Sequence, residues 1–142
     1  MDYIDLSKEF LQAFYQFHRK RTHKQINNAM HGEAFVLQYI AQFDNTTVPG
    51  DIENAMNVSS ARITTLLNGL ENKGLVLRQI DSIDRRRILI KLTPAGDEKA
   101  AENMQQLLAL TSEMFEYLGE EDANNFVRII CRLAERWSCE AG

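Results

Sequence analysis

The chain has 142 residues, 44% of them hydrophobic and 25% charged, with a net charge of −4. That supplies enough apolar material for a real core in one domain and argues against a disordered chain. No apolar run approaches the roughly 18 residues of a membrane span, and the acidic, polar start MDYIDLSKEF lacks the pattern of a secretory signal, so the expectation is a cytoplasmic protein with no membrane partner.

Leu6, Phe10, Phe14 and Phe17 recur at spacings of three and four and predict a first helix from about Leu6 to Arg21. It runs into the basic stretch His18-Arg19-Lys20-Arg21, followed by a polar connection through Asn27 and Asn28. Gly32 precedes a second helix, about Glu33 to Phe43, with apolar positions Phe35, Val36, Tyr39, Ile40 and Phe43. Asp44-Asn45-Thr46-Thr47 reads as a turn.

A short third helix begins at Pro49 and ends near Met56, with Ile52, Ala55 and Met56 able to face inward. Asn57 suits a left-handed stop, and Ser59 suits the N-cap of a fourth helix. Ile63, Leu66, Leu67 and Leu70 form the buried stripe of that helix, and Gly74 ends it. Helix, tight turn, helix is a helix-turn-helix unit whose second member reads a groove. Its outward residues are Ser60, Arg62, Thr64, Thr65 and Asn68. Short hydroxyls allow close approach to a sugar-phosphate rail, and Arg62 and Asn68 carry base-reading groups. Gly69 inside this helix costs about 1 kcal/mol against alanine, which a close approach by backbone or by a neighbouring helix would explain.

Leu75 to Ile80 and Ile88 to Leu92 are β-rich, and Asp81 to Arg87 is a polar hairpin tip. Arg85, Arg86 and Arg87 have no core to serve there; an arginine tip fits a narrow, negative minor groove. Asp81 and Asp84 read as turn formers that brace an arginine. From Ser59 to Thr93 seven basic residues face three acidic ones, a net of +4 within a chain of −4, which leaves −8 for the remainder. A basic module on an acidic body presents one face to phosphates.

Thr93-Pro94 opens a long fifth helix to about Leu118, with Ala100, Met104, Leu107, Thr111, Met114 and Leu118 at near-heptad spacing. Roughly 25 residues span about 37 Å, more than a small domain covers by itself. Gly119 ends it, and a last helix shows Phe126, Ile129, Ile130, Leu133 and Trp137 on one side. Long terminal helices with excess apolar face predict a homodimer. The fold expected is mainly α with a small β-hairpin wing: a winged helix-turn-helix lobe over residues 33–96, with N- and C-terminal dimerisation helices over 1–30 and 97–142.

Nothing in the chain looks catalytic: there is no Gly-rich phosphate loop, nucleophile elbow or zinc signature. His18, His23 and His31 lack the spacing of a metal site, so neither a metal nor another cofactor is expected. Cys131 and Cys139 fit no disulfide framework or zinc template, and a redox role for either is left open.

The segments GDIENAMNVSSARIT and LLNGLENKGLVLRQID, the wing DSIDRRR and the closing LTPAG resemble the MarR family of bacterial transcription regulators. The likeness follows the helix order over the whole length and is sharpest over residues 50 to 96. It implies a triangular dimer in which the first, fifth and last helices interlock. It also implies two lobes that bind successive major grooves of a pseudo-palindromic double-stranded operator, about 10 bp apart. By position, Ser59 and Ser60 open the reader, and Arg62, Thr64, Thr65 and Asn68 form its DNA face. Arg86 matches the wing arginine, with Arg85 beside it. Glu53 and Gly69 depart from the family pattern, as does the lack of an N-terminal cysteine. Many members bind small anionic aromatics, which implies an aromatic or anionic effector here, with Tyr15, His18, His31, Phe35 and Tyr39 as its pocket. The function implied is a homodimeric repressor released by that effector.

Overall fold

The computed structural model describes residues 1–138, so Cys139 lies outside the described residues. The elements are α1 (Tyr3–His18), α2 (Arg21–His31), α3 (Glu33–Gln42), β1 (Thr46–Thr47), α4 (Pro49–Met56), α5 (Ser60–Asn72), β2 (Val76–Ile80), β3 (Ile88–Leu92), α6 (Pro94–Leu118) and α7 (Glu120–Ser138). They fall into two compact units, Met1–Leu107 and Leu108–Gly142.

The first unit is the winged helix-turn-helix with α1, α2 and the first half of α6. Local chemistry sets most of its boundaries. Pro49 stands in the first turn of α4, and Asn57 stops that helix in the left-handed region at φ 54°. Ser59 then caps α5, its hydroxyl accepting from Arg62 N at 3.2 Å. Gly74, at φ +73°, terminates α5 in a Schellman turn: its N–H donates to Glu71 O and that of Leu75 to Leu70 O.

The wing is antiparallel, with Val76 opposite Leu92 and Ile80 opposite Ile88. A third strand, β1, pairs with the outer side of β3 through Thr46 and Thr47, giving the order β1-β3-β2. Asp44 and Asn45 make the turn before it, both at positive φ, and Asn45 O accepts from Leu92 N. The expected four-residue turn is therefore two turn residues and a two-residue strand. Thr46-Thr47 is too short to show alternation, and only its partner β3 defines it.

The core beneath the wing joins Val36, Leu37 and Ile40 of α3 to Ile52 and Met56 of α4. Ile63, Leu66, Leu67 and Leu70 of α5, with Val76, Ile90 and Ala100, complete it. The predicted stripe of α5 is buried in full. Leu37 is an addition. Ala55 and Phe43 are corrections: both are exposed, because Ala55 lies on the outer side of α4 and Phe43 is already past the end of α3.

The polar connection expected after Arg21 is a helix. The first helix ends at His18, and α2 runs from Arg21 to His31. Thr22, His23, Ile26 and Ala29 are its half-buried positions, spaced by three and four on the side that meets its neighbours. Only two of them are apolar, so the sequence shows no stripe; packing on α3 and α1 makes this stretch helical.

α6 starts where the wing closes. The Thr93 hydroxyl accepts from Gly96 N at 3.0 Å and donates to Gly74 O at 2.6 Å, so one side chain caps α6 and ties it to the end of α5. Gly96 is required by the close approach that follows, since a Cβ there would collide with the carbonyl oxygen of Leu75. Along α6 the positions Ala100, Met104, Leu107, Thr111 and Met114 are buried or half-buried, as their spacing predicts, whereas Leu118, the last residue of the helix, is exposed.

In the second unit, Gly119 breaks the chain between α6 and α7 at φ +84°, and the rings of Phe115 and Phe126 meet at 6.3 Å. Phe126, Ile129, Ile130, Leu133 and Trp137 line one side of α7, all exposed in the single chain, as is Cys131. On α1, in the first unit, Leu6, Phe10, Phe14 and Phe17 are likewise uncovered. No helix among the described residues is long and apolar enough to cross a membrane.

Candidate nucleic-acid interface

Helix α5 turns Ile63, Leu66, Leu67 and Leu70 inward, so the intervening positions Ser60, Arg62, Thr64, Thr65 and Asn68 necessarily face out; all five are exposed, as is Ser59. The hydroxyls of Thr64 and Thr65 donate to Ser60 O and Ala61 O at 2.9 and 3.0 Å. Their protons are spent within the helix, leaving methyl groups and lone pairs for an approaching surface. Arg62 has no carboxylate within ion-pair distance among the described residues, so its charge is uncompensated.

Asn68 is different. Its Oδ1 accepts from Arg78 Nη2 at 2.7 Å, and Arg78 Nε lies 3.3 Å from Glu71 Oε2. A side chain on β2 thus bridges two residues of α5 one turn apart. The sequence reading gave Arg78 no place on this face. No local pattern marks it, because the contact exists only once β2 has returned alongside α5.

The wing tip is built by its two aspartates. Asp81 Oδ1 accepts from Ile83 N at 2.9 Å, and Asp84 Oδ1 accepts from Arg86 N at 3.1 Å. Backbone bonds between Asp81 N and Arg87 O, and between Arg87 N and Asp84 O, close the loop. Asp84 also holds Arg86 Nε at 3.4 Å, while the Arg86 side chain stays 94% exposed. The carboxylates are engaged by the turn, as the sequence suggested, and the guanidinium is presented outward. Arg85 is exposed beside it, with no ion pair among the described residues. Arg87 faces elsewhere, lining a shallow pocket of about 250 Å³ with Tyr39, Phe43, Thr46, Asp51 and Leu89.

The residues expected around an effector fall on three helices. Tyr15 is 68% exposed on α1, and His18 ends that helix with its ring 4.4 Å from His23. His31 is exposed at the end of α2. Phe35 and Tyr39 stack on α3 at 6.1 Å, and Tyr39 continues to Phe43 at 4.7 Å. Only Tyr39 of the five lines the pocket beside Arg87. His23 went unassigned by the sequence reading; it packs edge-on against Phe14 and Phe17, and its Nδ1 is buried without a hydrogen-bond partner.

The sequence model of the MarR family matches residues 31–88. The uncharacterized HTH-type transcriptional regulator YwhA of Bacillus subtilis is 32% identical over 130 residues, covering 89% of this chain and 88% of that protein. The HTH-type transcriptional repressor YetL of the same organism is 32% identical over 95 residues, 67% of this chain and 57% of its own. Among solved structures, FabT of Streptococcus pneumoniae in complex with DNA superposes with a TM-score of 0.72, at 19% identity, covering 96% of this chain and 98% of that one.

Proposed function

The chain belongs to the MarR family of transcriptional regulators, and on that premise we propose that it is a sequence-specific, homodimeric DNA-binding repressor that a small aromatic or anionic effector releases. The observation that carries the reading is the exposure, within one winged helix-turn-helix lobe, of a polar helix face that includes Arg62 and of an arginine-bearing wing tip. The outer face of α5 offers Ser59, Ser60, Arg62, Thr64, Thr65 and Asn68. The wing offers Arg85 and a 94% exposed Arg86 on a tip made rigid by Asp81 and Asp84. A helix of this kind suits the major groove and an arginine tip the adjacent minor groove.

The dimer follows from the apolar faces. Leu6, Phe10 and Phe14 on α1 and Ile129, Ile130 and Leu133 on α7 are each more than 40% exposed in the single chain. Stripes of that size call for a partner, and a two-fold dimer is the commonest solution. It gives two reading heads for two half-sites. An effector weakens DNA binding only through a higher affinity for a head spacing that does not fit the operator. Tyr15, His18, His31, Phe35 and Tyr39 are proposed to receive it. The domain assignment proposed with this reading makes residues 1–30 and 97–142 the dimerising part and 33–96 the DNA-binding lobe.

The test is fluorescence anisotropy with the DNA upstream of the protein's own gene, at two salt concentrations, against unrelated duplex as competitor. Competitor-resistant, salt-sensitive binding at two chains per site is expected. Binding no tighter than to competitor, both there and in an unbiased selection from genomic DNA, would overturn the proposal.

A further inference from the structure

The contact between Arg78 and Asn68 decides how the reading helix presents the amide of Asn68. Arginine has only donors. The Asn68 atom 2.7 Å from Arg78 Nη2 is therefore the carbonyl oxygen, whichever way the amide would otherwise rotate. Arg78 is itself held, with Nε 3.3 Å from Glu71 Oε2 on the same helix. Both anchors of the clamp, Asn68 and Glu71, lie on α5, and the arm lies on β2. The amide is thereby turned so that Oδ1 faces the strand and the NH2 group is the part left free.

An asparagine that reads adenine bidentately needs Oδ1 and Nδ2 turned to the base together, one accepting from N6 and the other donating to N7. With Oδ1 turned to Arg78, one of its two lone pairs is taken and the oxygen is drawn toward the strand, so that pairing is disfavoured. A free NH2 group instead matches an edge that accepts twice, and guanine supplies this with N7 and O6. Thr64 and Thr65 add no competing donor, because their hydroxyl protons go to Ser60 O and Ala61 O. We propose that Arg78 is a positioning residue that makes Asn68 a donor-only reader, so that the half-site base facing Asn68 is guanine rather than adenine. The inference rests on the DNA-binding reading above.

The test is selection of bound duplexes from a library randomised across the half-site, sequenced for the wild type, Asn68→Ala, Arg78→Leu and Arg78→Lys. For the wild type, one position should favour guanine over adenine by at least about fivefold, the low end of the discrimination a good base contact gives. Asn68→Ala should flatten that position alone. Arg78→Leu should bring adenine at least level with guanine there and leave the other positions as they are. Arg78→Lys, which keeps a donor for Oδ1, should retain most of the guanine preference. Three results would overturn the proposal: adenine favoured by the wild type at the position that Asn68→Ala flattens; no position flattened by Asn68→Ala; or a uniform loss of binding in Arg78→Leu with the base preference unchanged, the signature of a phosphate contact. A melting curve checks that Arg78→Leu is folded, and the wild-type and Asn68→Ala arms decide the matter if it is not. Failure of the wild type to enrich any sequence would instead remove the DNA-binding reading itself.

Discussion

Glu33 and Gly69 share one space: a Cβ on Gly69 would stand 2.5 Å from Glu33 Oε1. The same carboxylate ends on Lys73, with Oε2 2.6 Å from Nζ. The glycine in the middle of α5, which costs about 1 kcal/mol in helix propensity, is what lets the first residue of α3 reach across that helix. The pair itself is partly exposed, at 59% for the lysine and 30% for the glutamate, so it contributes no more than about 1 kcal/mol.

Gly69→Ala is therefore expected to change stability little in the wild-type chain, because the gain in helix propensity is offset by moving a flexible carboxylate. In a Glu33→Ala background the same substitution should stabilise by close to the full propensity difference, about 1 kcal/mol. Urea unfolding of the four proteins measures the coupling as a double-mutant cycle. Equal effects in both backgrounds would show that Glu33 does not constrain the position.

Gly96→Ala should behave in the opposite way. Its neighbour is a backbone carbonyl, that of Leu75, which also accepts from Thr93 N at 3.1 Å. Backbone does not swing aside as a side chain does, so a loss of about 1–3 kcal/mol is expected from overpacking, again read by urea unfolding.

Thr93→Val keeps the shape of the side chain and removes both hydroxyl bonds, one from Gly96 N and one to Gly74 O. A loss of about 1–2 kcal/mol follows. Thr93→Ser should recover most of it. Thermal melts of the two variants side by side separate the cap from the methyl group.

Arg86→Ala should weaken operator binding by about 1–3 kcal/mol and reduce the slope of log K against log salt by about one. Its side chain is 94% exposed, so the melting temperature should not move. An unchanged affinity and salt slope would take the wing out of the DNA contact.

Leu133→Glu places a carboxylate on the uncovered stripe of α7, where Leu133 is 44% exposed in the single chain. If this stripe packs in the proposed dimer, burying an unpaired charge should weaken association by roughly 100-fold, about 2.7 kcal/mol. Sedimentation velocity across a dilution series checks it, and an unaltered dimer would place the interface elsewhere.

Much of this protein was written in local chemistry. Asn57, Ser59, Gly74, Thr93, Pro94 and Gly119 each prefer one backbone conformation or one capping bond, and each sits where that preference predicts. The α5 stripe and the outward face opposite it followed from a period of 3.6 residues, and the wing tip from aspartates that bond their own backbone. Tertiary structure alone decided the rest. α2 has too few apolar residues to declare itself and is helical because α1 and α3 pack on it. β1 is two threonines that become a strand only opposite Lys91 and Ile90. Glu33 over Gly69 and Arg78 on Asn68 join residues distant in sequence, through side chains whose types are ordinary on any surface. Periodicity and capping act within a few residues and leave a trace in the sequence; a contact closed by the return of the chain depends on the whole fold and leaves none.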